Sequence, residues 1–60
     1  METLDNGMTV TDEQANTMRK LITRMKKKPE GIGIELGYGA LMCTFDGLTI
    51  GIEKDGYAHS

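Results

Sequence analysis

One cysteine, Cys43, and one histidine, His59, are the only thiol and imidazole in the chain. A lone cysteine closes no internal disulfide, which argues against a disulfide-stapled secreted scaffold, and the two residues together fall short of a Cys/His metal cage. Tryptophan is absent, and one phenylalanine and two tyrosines are the only aromatics. No apolar run approaches the ~20 residues that span a bilayer. Residues 1–10 carry acids and no apolar core, so they do not read as a secretory leader, and a cytoplasmic location is the default expectation.

Sixty residues are enough for one small domain and no more. Such a domain buries a smaller share of its surface than a larger one and is marginally stable. With no disulfide and no metal expected, the remaining remedy is association, either with a second copy or with a larger partner. A net charge of −2 is too small to steer a partner by itself.

The organisation has a clear midpoint at Pro29, the only proline. Residues 1–10 form a lead-in with a turn signal at Asp5-Asn6-Gly7, and Met8 to Val10 fit a short edge strand. A helix is predicted over residues 11–28. Thr11 is a good N-cap, with Gln14 at the capping-box spacing, and Asp12 and Glu13 sit on the positive end of the helix dipole. Ala15, Met18, Leu21, Ile22 and Met25 fall within a stripe of about 120°, one core-facing side. Lys26, Lys27 and Lys28 suit the negative end of the dipole, and Pro29 blocks continuation.

After Pro29 the period changes to two. Ile32, Ile34 and Leu36 alternate with Gly33 and Glu35. Leu41, Cys43 and Phe45 alternate with Met42 and Thr44, and Leu48, Ile50 and Ile52 alternate with Thr49, Gly51 and Glu53. Asp46-Gly47 is a strong hairpin signal and pairs Phe45 with Leu48, Cys43 with Ile50 and Leu41 with Ile52. An even loop around Tyr38-Gly39 sets Leu36 opposite Leu41, Ile34 opposite Cys43 and Ile32 opposite Phe45, whereas an odd loop turns Leu36 to the polar face. Asp55-Gly56 repeats the turn signal ahead of a short fourth strand at Tyr57 to His59. The predicted fold class is α+β: one N-terminal amphipathic helix packed on a three- to four-stranded antiparallel sheet over residues 31–60, an α-β-β-β meander.

Catalytic and cofactor chemistry is thinly represented. Gly31-Ile32-Gly33 and Gly37-Tyr38-Gly39 are glycine pairs, but the helix precedes them, whereas a phosphate loop opens one. Turns account for most of the glycines. The alternation puts Cys43 on the apolar face, where a thiol is inert. His59 reads as a solvated terminal residue. No pair of acids stands at a spacing fixed for proton transfer. The expectation is a chain that is not an enzyme and takes no cofactor and no metal.

Two surfaces remain as binding candidates. Six of the seven basic residues, Arg19, Lys20, Arg24, Lys26, Lys27 and Lys28, lie in one segment of the helix, and all nine acids lie outside it. Such a segment is either a solvated face or a patch for phosphate or an acidic protein surface. Against nucleic acid, the rest of the chain carries nine acids and one base, Lys54, and the helix has no aromatic for stacking. Against membranes, the apolar stripe is committed to the sheet and lacks Trp and Phe. The second surface is the outward sheet face, which by parity holds Gly33, Glu35, Met42, Thr44, Thr49, Gly51 and Glu53, with Tyr38 at the neighbouring turn. Met42 adds an adaptable apolar contact there, and the sheet edges are open to pairing with a second copy.

These features point to a small non-enzymatic protein-binding regulator or inhibitor that masks a surface of a larger protein as a homodimer. A phage or mobile-element origin fits the size alone. The alternative is a nucleic-acid-binding regulator using the basic half of the helix. A third reading is a dimer holding a small ligand near Tyr38 and the glycine turns.

Overall fold

The computed structural model describes residues 1–25, 32–37 and 39–60. The chain folds as strands β1 (Glu2–Thr3) and β2 (Thr9–Val10), helix α1 (Asp12–Met25), and strands β3 (Gly33–Gly37), β4 (Ala40–Phe45), β5 (Leu48–Ile52) and β6 (Ala58–His59). β3 to β6 form one antiparallel sheet in chain order, and β1 and β2 form a separate two-stranded sheet. The fold is α+β with a meander, as the sequence predicts. The helix is not the first element, however. Thr9–Val10 pairs with Glu2–Thr3 instead of adding an edge to the main sheet. The expected stop at Pro29 and the preceding lysines lie outside the described residues.

The departure at the N-terminus has a local cause. Leu4 N–H donates to the Met8 carbonyl at 2.7 Å, Gly7 N–H to the Leu4 carbonyl at 2.9 Å, and Met8 N–H to Asn6 Oδ1 at 3.1 Å. This closes a three-residue loop and turns the lead-in back on itself. The loop between β5 and β6 repeats the construction. Glu53 N–H donates to the Tyr57 carbonyl and Gly56 N–H to the Glu53 carbonyl, each at 2.8 Å, and Tyr57 N–H donates to Asp55 Oδ1 at 3.0 Å. In both loops Asn or Asp is followed by a glycine in the left-handed region, a frequent three-residue hairpin solution.

The main sheet keeps the predicted register. Leu36 faces Leu41, Ile34 faces Cys43, Phe45 faces Leu48, Cys43 faces Ile50 and Leu41 faces Ile52. Ile32, expected opposite Phe45, precedes β3 and still packs against the core. Asp46 and Gly47 have φ of +50° and +80°, the backbone of a type I′ turn, which matches the right-handed twist of the strands.

The helix begins as its capping box dictates. Gln14 N–H donates to Thr11 Oγ1 at 3.1 Å, and Thr11 N–H donates to Gln14 Oε1 at 2.9 Å. The same residues tie the helix to the sheet. The Thr11 hydroxyl donates to the Lys54 carbonyl at 2.6 Å, and Gln14 Nε2 donates to the Ile52 carbonyl at 3.0 Å. One turn further on, the Thr17 hydroxyl donates to the Gly56 carbonyl at 2.7 Å. Gln14 is buried with its amide satisfied, so it joins the core without a desolvation penalty left uncompensated.

The core is the meeting of the helix stripe with one face of the sheet. Val10, Ala15, Met18, Leu41, Cys43, Phe45 and Ile52 are buried together, and Leu21, Ile22, Ile34 and Ile50 pack partly against them. The N-terminal hairpin shares the helix layer on the β3 side. Leu4 lines a cleft with Ile32 and Ile34, and Val10 lines another with Leu36. Cover is incomplete there: Leu36 is 52% exposed, although its parity puts it on the apolar face. Among the described residues no helix is long and apolar enough to cross a membrane.

Candidate functional site

The outward face of the sheet is assembled by register. Glu35, Met42, Gly51 and His59 follow one another across the four strands, and Gly33, Thr44 and Thr49 form the next row. Thr44 and Thr49 share a hydrogen bond between their hydroxyls at 3.1 Å. The sequence-predicted residues Glu35, Met42, Thr44, Thr49 and Glu53 therefore do share one surface. Tyr38 lies outside the described residues.

Two residues at the far edge of this face change its character. His59 is not a loose terminal residue: β6 carries it across Gly51, and its Nε2 stands 2.7 Å from Glu53 Oε2. Tyr57 stacks on the His59 ring with centroids 6.0 Å apart and planes 23° off parallel. Gly51 is buried beneath this ring. A Cβ there would lie 3.2 Å from His59 Cε1, 3.3 Å from Nε2 and 3.4 Å from Met42 Sδ. Glycine at this position lets the imidazole and the thioether lie flat on the sheet. The signal was present in the sequence. Continuing period two through the Asp55-Gly56 turn places Tyr57 and His59 on the face that carries Gly51 and Glu53.

The basic candidates are distributed differently. Arg19, Lys20 and Arg24 sit with Thr23 on the exposed side of α1. Arg19 is paired with Glu2 on β1 and reaches Asn16 Oδ1 at 3.4 Å. The sequence shows no acid among these bases, but the N-terminal hairpin brings one to them. Lys20 and Arg24 form no ion pair among the described residues. Lys26, Lys27 and Lys28 lie outside the described residues.

Cys43 faces the core, and burial raises its thiol pKa above the ordinary value, which keeps it protonated and unreactive at neutral pH. Among the described residues no group of three or more His, Cys, Asp or Glu side chains is placed to hold a metal ion.

The β3 edge is the remaining feature. A two-residue type I′ turn closes on a hydrogen-bonded pair, here Phe45 and Leu48, and bonded pairs alternate along an antiparallel ladder. Cys43 and Leu41 thus direct their backbone groups to β5, and Thr44, Met42 and Ala40 direct theirs to Gly33, Glu35 and Gly37. Ile34 and Leu36 are left with N–H and C=O groups turned outward along an edge that no described strand covers. Compared with protein-family models, with curated proteins and with solved structures, the chain matches none.

Proposed function

We propose that this chain is a small non-enzymatic regulator or inhibitor that masks a surface of a larger protein with the outward face of its sheet, acting as a homodimer. The observation that supports this reading is the supported aromatic at the rim of that face. Tyr57 is 65% exposed and rests on a histidine held by Glu53. A tyrosine fixed in this way offers a large contact at little entropic cost, which is the usual make-up of an interface anchor. Met42, which lies with the His59 ring over Gly51, supplies an adaptable apolar surface on the same face.

The nucleic-acid reading has less support, because Arg19 already answers Glu2. Capture of partners by the immobilised chain separates the two. Tyr57→Ala is expected to weaken capture of a protein partner about tenfold or more, the loss typical of an interface anchor. Reversing Lys20 and Arg24 to Glu is expected to leave that capture intact. Capture of nucleic acid that depends on Lys20 and Arg24 and fades steeply with salt would overturn the proposal.

A further inference from the structure

Three donor atoms of different chemistry gather over the bare backbone of Gly51. The register sets Met42 on one side of this glycine and His59 on the other. His59 Nε2 stands 3.3 Å, and Met42 Sδ 3.4 Å, from the point that a Cβ of residue 51 would occupy, so nitrogen and sulfur share one small space that residue 51 leaves empty. Glu53, just past the end of β5, brings its Oε2 to 2.7 Å from the same nitrogen. The Glu53 and His59 side chains are each about half exposed, at 47% and 46%, so an ion in solution can reach them. Tyr57 stacks against the plane of the imidazole and leaves its Nε2 edge turned to Gly51 and Glu53.

We infer that Met42 Sδ, His59 Nε2 and Glu53 Oε2 form a binding site for cuprous copper. Bonds from a metal to imidazole nitrogen or carboxylate oxygen are about 2.0–2.2 Å long, so two adjacent ligands on one metal stand about 3 Å apart. The Glu53–His59 pair is already close to that spacing, and the ion takes the place of the proton between them, which leaves to solvent. Methionine turns about three side-chain bonds, so its sulfur closes the third position from its place beside Gly51. The donor set decides the ion. A thioether selects a soft ion and imidazole suits copper, whereas zinc sites take thiolate sulfur and the hard divalent cations take oxygen. The His, Cys, Asp and Glu side chains assemble no group of three for a metal among the described residues, and here the sulfur of Met42 supplies the third donor. The site needs neither a second copy nor a protein target, so it stands apart from the proposed masking function.

Anaerobic NMR titration of the full chain with cuprous ion, kept in solution by acetonitrile, tests the site. The expected result is one ion per chain, with the Met42 methyl and the His59 ring resonances shifting together while the other methionine methyls stay in place. Met42→Leu and His59→Gln are each expected to weaken binding about a hundredfold, and Glu53→Gln, which keeps an oxygen but loses the charge, about tenfold. Gly51→Ala retains all three donors and sets a methyl group between nitrogen and sulfur, with an expected loss of about tenfold. Cys43 lies on the opposite face of the sheet, so Cys43→Ala is expected to bind as the parent does. No binding into the millimolar range overturns the inference. Shifts led by another methionine, loss of binding in Cys43→Ala, or a tighter hold on zinc than on cuprous copper overturn it as well. The shifts are read on the parent chain, so a variant that fails to fold leaves the test intact.

Discussion

β3 and β4 are neighbours with the same alternation of apolar and polar residues, and they have opposite fates. In β4, Leu41, Cys43 and Phe45 are buried under the helix, and Leu41 has no exposed surface. In β3, Ile34 is half-buried and Leu36 is exposed. The difference lies in the layer above the sheet. Met18, Leu21 and Ile22 cover the centre, whereas the short N-terminal hairpin only flanks β3, with clefts on either side of it. Period two tells which way a side chain points. It does not tell whether anything lies above it, and of the two strands β3 is also the one whose outer edge no described strand covers.

Large-to-small substitution is expected to separate the two strands most strongly. Leu41→Ala should cost about 2–5 kcal/mol in urea unfolding, and Leu36→Ala under about 1 kcal/mol when measured on the dilute monomer. The first loss is a large share of a total that, at this length, is of order 3–9 kcal/mol. Equal costs would erase the contrast.

Glycine replacement sharpens the same contrast at the backbone. Gly56 has φ of +92°, and a Cβ there would meet Thr17 Oγ1 at 3.0 Å and the Glu13 carbonyl at 3.1 Å. Gly56→Ala is expected to destabilise by about 1–3 kcal/mol in thermal unfolding, through both backbone strain and a parting of the turn from the helix. Gly33→Ala, at the open edge, is expected to be neutral or to stabilise by about 0.5 kcal/mol. A costly Gly33→Ala would mean that the edge is already occupied in the monomer.

Cys43 gives the smallest effect. Its folded-state pKa is raised by burial, so above the ordinary thiol pKa of about 8.5 the unfolded chain releases a proton that the folded chain retains. Stability is therefore unaffected by this group at neutral pH and falls as pH climbs through the ordinary value toward the raised one. Cys43→Ser should remove that alkaline component, and the native thiol should resist alkylation at pH 7.

Much of the fold was legible because several local signals agreed. The capping box at Thr11 and Gln14, the helix stripe and the Asp46-Gly47 turn each fix one element, and parity then fixes the sheet register. The N-terminal hairpin was harder to read because its strands are two residues each, too short for any period. The tie from Gln14 to the Ile52 carbonyl was also hidden, since the capping role alone accounts for the residue. At the candidate site, parity brought Glu35, Met42, Thr44, Thr49 and Glu53 together correctly. Tyr57 and His59 belong to a fourth strand that the sequence does signal; what the turn motif does not show is the Glu53–His59 pairing and the ring stack that fix the two side chains on this face.

Amide hydrogen exchange along β3 in dilute solution tests the open edge most directly. Glu35 and Gly37 should be protected, while the Ile34 and Leu36 amides exchange quickly. Protection of Ile34 and Leu36 in the dilute chain would contradict the account.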